Sequence, residues 1–169
     1  MIVAISDTHC RSEPELDPHL RSDIEDATLV VHAGDFTTEV VYDYFRDLAA
    51  ELVAVTGNRD RKPLRQTLPE QTTVDHSGLR LVVVHGDGHD RTSLSVLARQ
   101  EAADVVVRGH SHRPGIERVG EQLLVNPGSH ADPRGNRPGY ATFERDSAGV
   151  SVSLQTPAGD PIESGRLRL

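Results

Sequence analysis

The chain has 169 residues, a net charge of −8 and a single cysteine, Cys10. That length fits one domain with a core of its own. The lone thiol rules out an internal disulfide and fits a reducing cytosol, and the acidic balance argues against a broad nucleic-acid footprint. A small phosphorylated substrate stays open, because bound metal ions would dominate the local field.

In chain order, residues 1–6 form a short apolar run with no basic stretch before it. Neither this run nor any later one approaches the roughly 18 apolar residues of a membrane span. The expectation is a cytoplasmic protein without membrane contact. Residues 14–26 have helical length, and residues 28–33 are the next apolar run. Residues 37–51 place Val41, Phe45, Leu48 and Ala49 on one dry helical face. Further strand-like runs cover 52–56, 79–84 and 105–108, and a helix over 92–103 buries Leu94, Leu97 and Ala98. The strand runs are nearly continuous in Val, Ile and Leu rather than alternating, as strands buried on both faces require. Strand and helix in alternation predict an α/β layered fold.

After about residue 113 glycines punctuate shorter pieces. These predict a hairpin over 115–125 and a two-strand edge from 139–144 and 150–155. One domain over residues 1–155, followed by a loose polar tail over 156–169, is the expected organisation. Residues 70–78 show no clear periodicity.

The polar residues stand where the runs end. Successive runs are followed at once by Asp7-Thr8-His9, Gly34-Asp35, Gly57-Asn58-Arg59-Asp60, His85-Gly86-Asp87-Gly88-His89 and Gly109-His110-Ser111-His112. Ligands of open α/β sheets bind beyond the carboxyl ends of strands, so one rule gathers all five groups at one edge. Asp7, His9, Asp35, Asn58, His85, His110 and His112 offer imidazole, carboxylate and amide oxygen without thiolate. Such a set suits borderline divalent ions, with manganese expected first and nickel, iron or zinc as alternatives. Seven ligands exceed one tetrahedral site and suit two ions about 3.5–4 Å apart that share a carboxylate. Asp35, in the middle of the series, is the natural one to share. Two divalent ions against two carboxylates and a hydroxide leave a site of roughly +1, able to hold phosphate. The hydroxide between the ions is the expected nucleophile.

These motifs, in this order, resemble the calcineurin-like metallophosphoesterase superfamily, and within it the small phosphodiesterases of the YfcE-like class. Residues 103–107 before Gly109-His110, and Asn126-Pro127-Gly128-Ser129 with Pro133-Arg134-Gly135, extend the likeness. The resemblance implies a four-layer α/β/β/α sandwich of two mixed sheets. It implies one metal on Asp7, His9 and His112, a second on Asn58, His85 and His110, and Asp35 between them. The implied activity is hydrolysis of a small phosphoester, with phosphodiesters the preferred class.

Two departures matter. Many relatives carry a proton-donating histidine directly after the metal-binding asparagine; here Arg59 stands there. An arginine cannot give up its proton, but it can fork onto phosphate oxygens. The class also reads His-Gly-His where this chain has His85-Gly86-Asp87-Gly88-His89. Asn58, Arg59, Asp60 and His85 form the candidate catalytic set, with Arg59 and His89 as candidate substrate contacts. Arg59 stays open between a functional role and a solvated loop arginine paired with Asp60, Asp60 between a residue that orients the site and a loop acid, and His89 between a site residue and a loop residue. His32 reads as a core histidine, and His19, His76 and His130 as surface ones. A second function fits the same resemblance: a protein-interaction scaffold like the eukaryotic retromer subunit with this fold. Assembly into a homo-oligomer is left open.

Overall fold

The computed structural model describes residues 1–168. Eleven strands and four helices follow the chain: β1 (Ile2–Ile5), α1 (Pro18–Asp26), β2 (Leu29–His32), α2 (Glu39–Leu48), β3 (Leu52–Ala54), α3 (Lys62–Thr67), β4 (Gln71–His76), β5 (Leu79–Val84), α4 (Arg91–Gln100), β6 (Val105–Arg108), β7 (Gly115–Val119), β8 (Gln122–Asn126), β9 (Tyr140–Asp146), β10 (Gly149–Gln155) and β11 (Pro161–Leu167). They make two mixed sheets, ordered β11-β10-β9-β1-β2-β3 and β4-β5-β6-β8-β7. In the first, β1, β2 and β3 run parallel. In the second, β5, β6 and β8 run parallel.

Three apolar layers hold the sandwich together. Ala4, Val31, Leu81, Val83, Val107 and Val125 lie in the core between the sheets. Val3 and Ile5, on the opposite face of β1, pack with Leu20 and Ile24 of α1 and Val41 and Phe45 of α2. Val82, Val84 and Val106 pack with Leu94, Leu97 and Ala98 of α4. The central parallel strands β1, β2, β5 and β6 are therefore dry on both faces along most of their length, which is why their sequences run apolar without alternating. The order is helix, sheet, sheet, helix, as the α/β/β/α expectation has it. No helix among the described residues is long and apolar enough to cross a membrane.

Three expectations are corrected. The strands that carry the motifs are not consecutive: the antiparallel strand β4 intervenes, so three motifs belong to one sheet and two to the other. Residues beyond 155 are not a loose tail, because β11 pairs antiparallel with β10 and closes that sheet's edge. The first helix starts at Pro18 rather than at residue 14, with proline in its first turn and the Asp17 carboxylate accepting from the His19 N–H as cap.

Candidate metal centre

The carboxyl ends of the parallel strands of both sheets meet at one end of the sandwich. Backbone bonds stitch them: the Asp7 N–H donates to Gly34 O and the His9 N–H to Asp35 O, each at 3.0 Å. Gly57 and Gly109 allow this closeness. A Cβ on Gly57 would collide with the Asp35 carboxylate, and one on Gly109 with Ser6 and Asp7. Five of the seven candidate ligands hold left-handed backbone: Asp7 (φ 55°), His9 (47°), Asp35 (62°), His110 (68°) and His112 (55°). Such conformations cost on the order of 1–3 kcal/mol each and persist only where the surroundings enforce them.

Two clusters result. In the first, Asp7 Oδ1 lies 3.2 Å from His112 Nε2 and 3.6 Å from His9 Nε2. The two imidazoles stack, with their Nε2 atoms 3.2 Å apart. In the second, His85 Nε2 is 3.3 Å from Asp35 Oδ2 and 3.1 Å from Asn58 Oδ1. Asp35 Oδ2 is also 3.3 Å from His9 Nε2, so this carboxylate faces both clusters. The His110 ring stands edge-on to that of His85, with centroids 5.3 Å apart.

Hydrogen bonding fixes which imidazole nitrogens point inward. His85 Nδ1 is 2.7 Å from Ala33 O, and His112 Nδ1 bonds Asp132 O. A carbonyl only accepts, so each Nδ1 carries a hydrogen, and each Nε2 turns a lone pair into the site when its ring is neutral, as a metal ligand must be. The His85 lone pair then meets two further acceptors, Asp35 Oδ2 and Asn58 Oδ1. Asp7 Oδ1 is buried with no hydrogen-bond partner among the described residues. Lone pairs converging without a donor call for a positive charge, and the donor set fits divalent metal ions. Protons feel the same demand. Burial opposes the charge on His85, but Asp35 holds its imidazole up at about 9.

Other side chains hold the cage. Asp60 is buried, and its carboxylate accepts from the backbone N–H groups of Asp35 (3.1 Å), Thr37 (2.7 Å) and Gly57 (2.7 Å). Its oxygens are committed to backbone amides, so it positions the Asp35 and Gly57 turns, which is the orienting alternative of the sequence reading rather than direct contact with substrate. Asp7 Oδ2 accepts from Ser6 Oγ and from the His110 N–H. Asn126, at the end of β8, donates to Gly109 O and Ser111 Oγ. Ser129 donates to Asp7 O and accepts from the Asp132 N–H. His32 is a core histidine. Its Nδ1 accepts from the Gly34 N–H, so its Nε2–H donates to Thr8 Oγ1, and the Thr8 hydroxyl donates to His130 Nε2. His130 is thus tied into the site rather than free on the surface.

The remaining candidates lie at the rim. Arg59 is exposed; its backbone N–H donates to Asp35 Oδ1 at 2.7 Å, and its side chain makes no hydrogen bond or ion pair among the described residues. His89 is half-buried and joins Asn58, His85, Arg65, Glu70 and Asp87 around a cleft of about 280 Å³ beside the second cluster. Its Nδ1 is buried without a partner among the described residues. Sequence reasoning missed Asn126 and Ser129 as site residues. Their only signal was the Asn-Pro-Gly-Ser turn, whose target on other strands is a tertiary fact.

Comparison with known proteins agrees with this geometry. The calcineurin-like phosphoesterase superfamily domain matches residues 1–148. A probable metallophosphoesterase of Methanocaldococcus jannaschii is 34% identical over 79% of this chain and 70% of its own length. A phosphodiesterase of the same organism is 31% identical over 73% of this chain and 80% of its own. Vps29 of Entamoeba histolytica, solved in complex with zinc, superposes with a TM-score of 0.77 over 99% of this chain and 98% of its own, at 23% identity, a likeness of fold. Five parallel strand ends that turn carboxylate, amide and imidazole groups toward one another, in a sequence matched over residues 1–148, place the chain in the calcineurin-like phosphoesterase superfamily.

Proposed function

We propose that the protein is a two-metal phosphoesterase that prefers phosphodiesters. Asp7, His9 and His112 would hold one ion, Asn58, His85 and His110 the other, and Asp35 would face both. The observation that carries this reading is His85 Nε2 aimed at two acceptors, Asp35 Oδ2 and Asn58 Oδ1, beside a buried and orphaned Asp7 Oδ1. When bound, divalent ions would polarise the phosphoryl oxygens and bring the pKa of a water toward neutrality. Manganese leads among the candidates, with nickel, iron or zinc next. The chain's own residues orient that chemistry. Ala33 O and Asp132 O fix the imidazole tautomers, Asp60 fixes the Asp35 turn, His89 shares a cleft with Asn58 and His85, and Arg59 follows Asn58 in the chain with its guanidinium unpaired among the described residues. The relative named as a phosphodiesterase supports diester preference, and Cys10, the one thiol, suits work in the cytosol.

A scaffold function has less support. It gives no reason for strained ligands, and the exposed large hydrophobics, Val40 on α2 and Val96 on α4, lie on opposite helical layers rather than in one patch. The deciding test is hydrolysis of bis-aryl and mono-aryl phosphates across manganese, nickel, iron and zinc, with bound metal counted. Activity that needs metal and disappears in Asp35→Asn and His85→Ala is expected. A folded wild-type protein inactive with every metal overturns the proposal.

A further inference from the structure

Beside the first cluster lies a cation that the seven-ligand cage does not explain. Arg134 Nη2 is 3.5 Å from His9 Nε2, and Arg134 Nε donates to Asp132 Oδ2 at 3.0 Å. The turn that carries it is tied to the site from both ends. The Asp132 N–H donates to Ser129 Oγ, which itself donates to Asp7 O. Asn136 donates twice to Pro133 O, once from its backbone N–H and once from its side chain. Asp132 O holds the Nδ1–H of His112. Arg134 itself keeps left-handed backbone (φ 48°) between Pro133 and Gly135, so the turn holds a strained residue to bring its side chain here.

A guanidinium is always charged and only donates. Directed at a nitrogen that holds a divalent ion, it meets a like charge at close range. That arrangement becomes favourable when an anion lies between the two. A tetrahedral phosphoryl group has the oxygens for it: one side faces the ions while another oxygen accepts from Arg134. Asp132 anchors the guanidinium through Nε and leaves the Nη atoms free to reach forward.

We infer that Arg134 is a substrate-binding residue that grips a non-bridging phosphoryl oxygen over the His9 side of the metal centre. This rests on the phosphoesterase reading. It makes the phosphoryl group itself, rather than the alcohol it carries, the part of the substrate held at that side.

The test compares metal-loaded wild type, Arg134→Ala and Arg134→Lys in three readouts. These are kcat and KM for bis(p-nitrophenyl) phosphate, inorganic phosphate binding by calorimetry, and metal content. Loss of one charge-assisted hydrogen bond predicts KM and the phosphate dissociation constant of Arg134→Ala rising together, about 10- to 100-fold. Metal content should stay at the wild-type level, and Arg134→Lys should recover part of the loss. Phosphate affinity unchanged in Arg134→Ala overturns the inference and leaves the phosphoesterase reading standing. Lost metal in Arg134→Ala overturns it too, because the residue would then be part of the cage's support. A wild type that neither binds phosphate nor hydrolyses any phosphoester overturns both.

Discussion

Replacing Asp60 by alanine tests whether the cage is held from behind. The carboxylate is 5% exposed and terminates three backbone donors, two on Oδ2 and one on Oδ1. Each buried donor left unmet costs about 1–3 kcal/mol, and water entering the vacated space recovers part of that. Against this, burial pushes the Asp60 carboxyl up, so removing it also relieves a desolvated charge. The net loss in Asp60→Ala should be about 3–5 kcal/mol. Asp60→Asn keeps the shape and one acceptor oxygen but turns an NH₂ toward at least one donor, and should fall between wild type and alanine. Chemical denaturation of chelator-treated protein measures these differences through the midpoint and slope. A domain stability of about 5–15 kcal/mol leaves both variants folded enough to measure. Because the same bonds set the Asp35 turn, metal affinity should weaken in the same order. A loss under about 1 kcal/mol in Asp60→Ala, with metal affinity unchanged, would refute the reasoning.

Two further outcomes follow from the site's chemistry. Burial holds the His130 imidazole at about 4, below the 6.5 of a free one, and burial lowers His32 as well. The unfolded chain therefore takes up these protons first, so the contribution of these two imidazoles is full above about pH 6.5 and declines as pH falls toward 4, while that of His85 runs the other way and is lost as pH rises toward 9. His130→Asn should flatten that decline, and unfolding curves at several pH values that run parallel in the two proteins would contradict it. With Arg59 unable to donate a proton, substrates whose leaving groups depart unaided should dominate. Aryl phosphodiesters should be hydrolysed at least about 100-fold faster than alkyl ones, the span that general acid catalysis typically supplies, and comparable rates would show that another group protonates the leaving oxygen.

The parts legible in the sequence were those set by burial on two faces. Central strands such as β2 and β5 are apolar but for His32 and Arg80, and their ends announce themselves when Gly34-Asp35 or His85-Gly86 interrupts the run. The edges were not legible. β4 reads Gln-Thr-Thr-Val-Asp-His and is half-buried along most of its length, so neither alternation nor continuity marks it. β11 starts with Pro161 and contains Gly165, residues that suit an edge strand but also a tail. α3 is six residues long and opens on Lys62-Pro63, too short for a periodic face. In the site, ligand identity was readable because residue type and position carry it. The roles of Asn126 and Ser129 were not, and the orienting role of Asp60 stood only as one of two alternatives, because each satisfies backbone groups of other segments, and those meet only after folding. Arg134 was visible as a turn residue but not as a neighbour of His9, 125 positions away.

The strain at Asp7, His9, Asp35, His110 and His112 bears on how this centre is made. If metal binding organised these residues, the backbone would have no reason to enforce five left-handed conformations through hydrogen bonds that involve no metal. Those bonds run from the β1 end to the β2 end, from the β6 end to Asp7 and from β8 to the β6 end. The sandwich core, not the ion, therefore sets the ligand geometry, unlike small metal domains in which binding energy is folding energy. Such a cage tolerates little change of residue, which leaves the choice of substrate to residues outside it. Arg59, His89 and Arg134 stand on three separate loops, each next in the chain or in space to a candidate ligand: Arg59 follows Asn58, His89 shares a cleft with His85, and Arg134 reaches His9. Each can change without disturbing a strand, while the turns that carry them are fixed to the cage by Asp35, Gly86 and Ser129. On the proposed function, specificity would then be free to vary in side chains whose backbones are tied to the cage.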